Sequence, residues 1–137
     1  LMDCFAHSEC LSADVTNAYD PTYGETCDKR NNSRINGGVC FMKYTGARGK
    51  SGSSDAPAEF VAKIRRLCDE GGVIWQMGEL GKVDAGGGGT VAQYVANRDI
   101  DVVDIGVPVL SMHSPFELVS KLDVYMTYRA FSAFANA

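Results

Sequence analysis

Residues 54–77 read Ser54-Asp55-Ala56-Pro57-Ala58-Glu59-Phe60-Val61-Ala62-Lys63-Ile64-Arg65-Arg66-Leu67-Cys68-Asp69-Glu70-Gly71-Gly72-Val73-Ile74-Trp75-Gln76-Met77. Phe60, Val61, Ile64, Leu67 and Cys68 recur at the spacing of one helix face. Ser54-Asp55-Ala56-Pro57 offers a polar N-cap and a proline for the first turn, so the helix is expected to start there. Gly71-Gly72 stops it. Val73 to Met77 then reads as a strand, and so does Gly38-Val39-Cys40-Phe41-Met42-Lys43-Tyr44 upstream. Strand, amphipathic helix and strand in succession point to a layered α/β domain with a mixed or largely parallel sheet.

Further strands extend this pattern on both sides. Cys10-Leu11-Ser12-Ala13 is a short apolar run that ends at Asp14. Residues 17–37 are polar and turn-rich and read as a long surface loop, a type of segment that often carries function. Gly46 to Ser54 reads as a second loop, and Gly86 to Gly89 lead into a short helix from Thr90 to Ala96. Between Ile100 and Met112 lies a fourth strand or a bent pair, with Pro108 at the bend and His113 at the end. Ser114-Pro115-Phe116-Glu117 has the form of a capping box with proline at the first helical position. A last helix of about 20 residues is expected from there, with Leu118, Leu122, Tyr125, Tyr128, Phe131 and Phe134 along one face. Leu1 to Phe5 reads as the tail of a helix, which marks the chain as a portion of something larger.

The chain has 137 residues, enough for one domain, and 45% are hydrophobic, enough for a buried core. A net charge of -4 provides neither the basic stripe that nucleic acid requires nor attraction to an anionic membrane surface. No apolar stretch reaches the roughly 18 residues of a membrane span. The five cysteines form no C-x-x-C pair and an odd count, which fits free thiols in a reducing cytosol better than a disulfide framework.

Asp14 and His113 each end an apolar strand, where open α/β sheets gather ligands. Carboxylate oxygen and imidazole nitrogen both suit zinc. A lone aspartate after a strand also serves as a turn residue, and a lone histidine beside a helix start as a structural one. The run Gly86-Gly87-Gly88-Gly89-Thr90 could hold an anion on backbone N–H groups, or could simply pack closely. Gly49-Lys50-Ser51 is no phosphate-binding loop, because the pattern would need glycine at Tyr44. No G-x-S-x-G elbow supports a serine hydrolase.

Five strings, taken in order, carry a resemblance. They are Leu11-Ser12-Ala13-Asp14-Val15-Thr16-Asn17-Ala18, Lys43 to Gly52, Trp75 to Asp84, Gly86-Gly87-Gly88-Gly89-Thr90-Val91-Ala92 and Leu110-Ser111-Met112-His113-Ser114-Pro115-Phe116-Glu117. Together they resemble the M18 metalloaminopeptidases, in particular a clostridial-type bacterial branch, from about Cys10 to Phe134. The resemblance implies a three-layer α/β/α sandwich with a mixed, largely parallel sheet, of which residues 1–137 are the C-terminal portion. It implies two divalent metal ions, zinc first and cobalt or manganese as alternatives, bridged by an aspartate. A glutamate acts as general base on the attacking water, and peptides lose one N-terminal residue at a time. The family assembles as homo-oligomers, dodecamers built from dimers.

Carried over by position, Asp14 matches a ligand to one metal and His113 a ligand to the other. Gly88, Gly89 and Thr90 match the stretch lining the pocket for the peptide's first side chain. Lys43 falls beside the substrate-contacting lysine. Position 17 is asparagine, where the acid-preferring branch has histidine, so that preference does not carry over. The first histidine ligand, the bridging aspartate and the Glu-Glu pair match nothing here and are expected in a missing N-terminal half. A co-catalytic pair of ions about 3.5–4 Å apart needs that bridge. The chain by itself is therefore expected to be silent, and a split sheet with a bare strand edge is expected to associate with other chains. The alternative reading is a catalytically silent fragment serving as an assembly module. A small anion-binding protein using the glycine run is a more distant one.

Overall fold

The computed structural model describes residues 1–48, 51–82 and 85–137. Gly49, Lys50, Val83 and Asp84, which belong to two of the strings quoted above, lie outside the described residues. The elements in chain order are α1 (Met2–Ala6), β1 (Glu9–Ala13), β2 (Thr16–Asn17), a 3-10 helix (Pro21–Thr26), β3 (Val39–Met42), β4 (Tyr44–Ala47) and β5 (Ser51–Asp55). They continue with α2 (Ala58–Glu70), β6 (Trp75–Met77), α3 (Ala92–Ala96), β7 (Asp101–Gly106), β8 (Pro108–Leu110), β9 (Leu118–Val119) and α4 (Lys121–Ala135).

The main sheet has the strand order β1-β7-β3-β6. β1 runs parallel to β7 and β3 parallel to β6, while β3 and β7 are antiparallel. The sheet is thus mixed and largely parallel. β3 is buried along its whole length and β7 from Val102 to Gly106, as expected of central strands covered on both faces. Val39 and Phe41 of β3 and Val103 and Ile105 of β7 form one face of the sheet. Against it pack Phe60, Val61, Ile64 and Cys68 of α2 and Met126 and Ala130 of α4. Each large apolar side chain so buried contributes about 1.5–3 kcal/mol. Side chains alternate along a strand, so Asp104 and Ser12 point to the opposite face. There Thr90, just ahead of α3, covers Asp104. Two helices thus cover one face of the sheet, with the short α3 and loops on the other.

The chain then bends at Val107. β8 pairs in parallel with β2 and antiparallel with β9, giving a second, smaller sheet. Asp14 lies on the connection from β1 to β2, alongside the β7–β8 bend.

Three local expectations need correction. Residues 44–55, read in part as a loop, contain the β4–β5 hairpin. Ser54 and Asp55 are strand residues of that hairpin and do not cap α2, whose N-cap is Pro57 without a side-chain bond. The last helix starts at Lys121, not after Ser114. Ser114 accepts from the Phe116 N–H, Glu117 accepts from the His113 N–H, and Leu118-Val119 pair with β8. The actual cap is Ser120, which accepts from the Leu122 N–H at 3.1 Å.

All five cysteines are free thiols, and burial separates them chemically. Burial pushes the Cys40 thiol up to about 12 and the Cys68 thiol up to about 11, from an ordinary 9.0. Only the thiolate reacts. At pH 8 an alkylating reagent should therefore modify exposed Cys4 readily and spare Cys40 and Cys68 until the fold is lost. Because both values are raised, the stability tied to the neutral thiols is intact below about pH 9 and declines as pH rises towards 11 and 12. Rapid labelling of Cys40 in the native protein, read by peptide mass, would contradict this burial. Among the described residues, no helix is long and apolar enough to cross a membrane.

Candidate metal and substrate site

The site is built around β7. Ala13 of β1 faces Ile105, and the Asp14 N–H donates to the Ile105 carbonyl at 3.2 Å. Asp14 is thereby fixed, half-buried, at the carboxyl end of β1. One residue earlier on β7, Asp104 is 1% exposed. Its Oδ2 accepts from the Thr90 hydroxyl at 2.6 Å, and among the described residues no direct hydrogen bond reaches its Oδ1. The Thr45 hydroxyl lies 3.2 Å from that of Thr90. Thr90 spends its proton on Asp104, so Thr45 is the donor to Thr90. Burial pushes the Asp104 carboxyl above the usual carboxylate range. The hydroxyls of Ser12 and Thr90 pull it back, and the nearby charge of Asp14 pushes it up again.

Lys43 follows Met42, the β3 residue that faces Asp104. Its ammonium pairs with the Asp55 carboxylate of β5. Lys43 also lines a cleft of about 240 Å³ with Arg30, Asn31, Met77, Gly78 and Glu79, at the carboxyl ends of β3 and β6. In the glycine run, Gly88 has open space where a side chain would be, and a Cβ on Gly89 would approach the Gly52 carbonyl to 3.0 Å. Thr90 and Asp14 therefore lie beside Asp104, while the Lys43 ammonium is drawn to Asp55 and the neighbouring cleft.

His113 is placed differently. It is exposed, in the turn between β8 and β9, with a φ of 67°. Its N–H donates to Glu117 Oε1 at 2.7 Å, which fixes its backbone. No hydrogen bond joins it to Asp14 among the described residues. A zinc ion needs several donors converging on one point. Among the described residues, no three histidine, cysteine or acidic side chains do so. Asp14 and His113 suit zinc as single donors, and the described residues do not bring further donors to either.

Asp104 was not singled out from the sequence, although the signal was there. A carboxylate inside the apolar run Val102-Val103-Asp104-Ile105 must either find partners or shift its protonation.

Residues 2–135 match the profile of the family described as aminopeptidase I zinc metalloprotease (M18). The chain belongs to this M18 family. It is 49% identical over 130 residues to the probable M18 family aminopeptidase 1 of Clostridium acetobutylicum, covering 95% of this chain and 28% of that protein. The corresponding protein of Thermotoga maritima is 48% identical over 131 residues, covering 96% of this chain and 29% of its own length. The crystal structure of aminopeptidase I from Clostridium acetobutylicum superimposes with a TM-score of 0.92, at 48% identity, over 96% of this chain and 29% of that one. The chain thus spans less than a third of the length of these relatives.

Proposed function

We propose that residues 1–137 are the C-terminal portion of the catalytic domain of a metal-dependent aminopeptidase that removes residues one at a time from the N-termini of peptides. The match to the M18 profile along residues 2–135 carries this reading. Asp14 and His113 each give one ligand to a pair of divalent ions, zinc first, with cobalt or manganese as alternatives. Zinc, when bound, supplies Lewis acidity and lowers the pKa of water towards neutrality. The backbone bond to Ile105 suits Asp14 to hold its carboxylate steady. The positive φ of His113 is a small local strain, of a kind that concentrates at functional sites.

Lys43, Gly88, Gly89 and Thr90 contact the peptide near its N-terminus. The bare Gly88 backbone lets a substrate side chain approach closely. The bridging aspartate, the first histidine ligand and the general-base glutamate come from sequence outside these 137 residues. The enzyme works in the cytoplasm as a homo-oligomer, with neither nucleic acid nor membrane as a partner.

The test is release of the N-terminal residue from an unblocked peptide by the full polypeptide. The expected result is cleavage that a chelator abolishes and that N-acetylation of the peptide prevents. Equal cleavage of the blocked peptide, or indifference to chelation, overturns the reading. One observation favours a second reading, a silent assembly module: no three metal-capable side chains converge among the described residues. Absence of any peptidase activity from the metal-loaded full polypeptide would support that one.

A further inference from the structure

The buried carboxyl of Asp104 holds Thr90, the residue that closes the glycine run. It sits mid-strand in β7, buried in the centre of the main sheet. Among the described residues no direct hydrogen bond reaches one of its oxygens, which is costly for a buried acid. Its other oxygen holds the hydroxyl of Thr90, the residue that ends the run Gly86 to Gly89. Four glycines in a row have little conformational preference of their own, so their shape depends on how the ends are fixed. One tie is the Gly86 carbonyl, which accepts from the Arg48 N–H at 3.4 Å. The other end is held by the chain Thr45 to Thr90 to Asp104, which links the β4–β5 hairpin, the glycine run and the central sheet.

We propose that Asp104, acting through Thr90, is a positioning residue that holds the Gly86–Thr90 segment in the shape that receives the first residue of the peptide. This rests on the aminopeptidase reading, and it adds a specificity-setting link between the core and the substrate pocket. Asp104 itself does not touch the substrate. It sets where the backbone of Gly88 and Gly89 stands.

The test uses the full metal-loaded polypeptide and four variants: Thr90→Val, Asp104→Asn, Asp104→Leu, and the double variant Asp104→Leu with Thr90→Val. Removing both partners of a buried bond with apolar groups of similar shape is close to neutral for stability. The double variant removes both partners of the Thr90–Asp104 bond but leaves the Thr45 hydroxyl without its acceptor, so its melting temperature, measured alongside the exchange, separates positioning from folding. Amide exchange of the peptide spanning residues 86–92, read by mass spectrometry, should rise on the order of ten-fold in it and in Thr90→Val. KM should rise by a similar factor with kcat nearly unchanged, and the single variant Asp104→Leu, which leaves Thr90 in place, should show the same rise in KM and in exchange. Asp104→Asn still accepts from Thr90 and should restore both values to about the wild-type level.

Unchanged exchange in residues 86–92, or faster exchange spread evenly over β3 and α2, overturns the proposal. So does a fall in kcat without a change in KM. If the wild-type polypeptide has no aminopeptidase activity, the functional reading fails by itself. The exchange arm then still decides whether Asp104 holds the segment.

Discussion

Gly106→Ala is expected to destabilise the protein by about 3 kcal/mol or more and to lower peptidase activity at least about 100-fold. Gly106 ends β7 and is buried beside the Asp14–Val15 link that follows β1. A Cβ there would overlap the carbonyl oxygen of Asp14, lie 2.5 Å from its carbonyl carbon and 3.2 Å from the nitrogen of Val15. All of these are backbone atoms, so no side-chain rotation relieves the clash. Either β1 lifts away, carrying Asp14 off the sheet, or Gly106 withdraws and shifts the bend that leads through β8 to His113. Both proposed ligands are displaced in one case or the other. Misplacement by about 1 Å is enough for a large loss of rate. A Gly106→Ala protein with native melting temperature and native turnover would show that the close approach of β1 and β7 does not position Asp14.

The second large effect is expected at Asp123. Its carboxylate is fully buried at the first turn of α4, where the helix N-terminus favours negative charge. Oδ1 accepts the Gly38 N–H at 2.8 Å and Oδ2 the Asn36 N–H at 2.9 Å. This bond pair clamps the end of the long loop just before β3 begins. The segment has little freedom to find other partners. Gly38 holds a φ of +84°, and a Cβ there would overlap the Ile74 carbonyl oxygen. Asp123→Ala leaves both donors without an acceptor and should cost about 3–5 kcal/mol. Asp123→Asn keeps one acceptor but turns an amide N–H towards the other donor, so its cost should be intermediate. Denaturant midpoints measure both. A loss below about 1 kcal/mol for Asp123→Ala would mean that the clamp contributes nothing beyond what water supplies.

The α2 helix and the strands β3 and β6 were legible because their signals are local: apolar residues at helical spacing, closed by Gly71-Gly72, with an apolar run on each side. The start of α4 was not legible, for a physical reason. Ser114-Pro115-Phe116-Glu117 and Ser120-Lys121-Leu122-Asp123 both have the spacing of a helix start. What separates them is non-local. Asp123 is already bound to Gly38 and Asn36, and Leu118-Val119 are taken up by β8. The β4–β5 hairpin escaped because Gly46, Gly52, Ser53 and Ser54 have weak strand preference. Its Thr45 is instead held from outside the hairpin, by the bond between its hydroxyl and that of Thr90.

For the site, residue types at strand ends led to Asp14 and His113, and family resemblance supplied their roles. The sequence could not show that Asp14 and Thr90 meet beside Asp104, because that meeting depends on β1 and β7 lying side by side.

The most direct measurement is the zinc content of the purified full polypeptide, compared with its Asp14→Ala and His113→Ala variants, each confirmed as folded. The expected result is about two ions per chain in the parent. Each variant should show a clear loss of metal, with loss of chelator-sensitive aminopeptidase activity alongside. Full metal content and full activity in both variants would contradict the assignment of these two residues to the metal site.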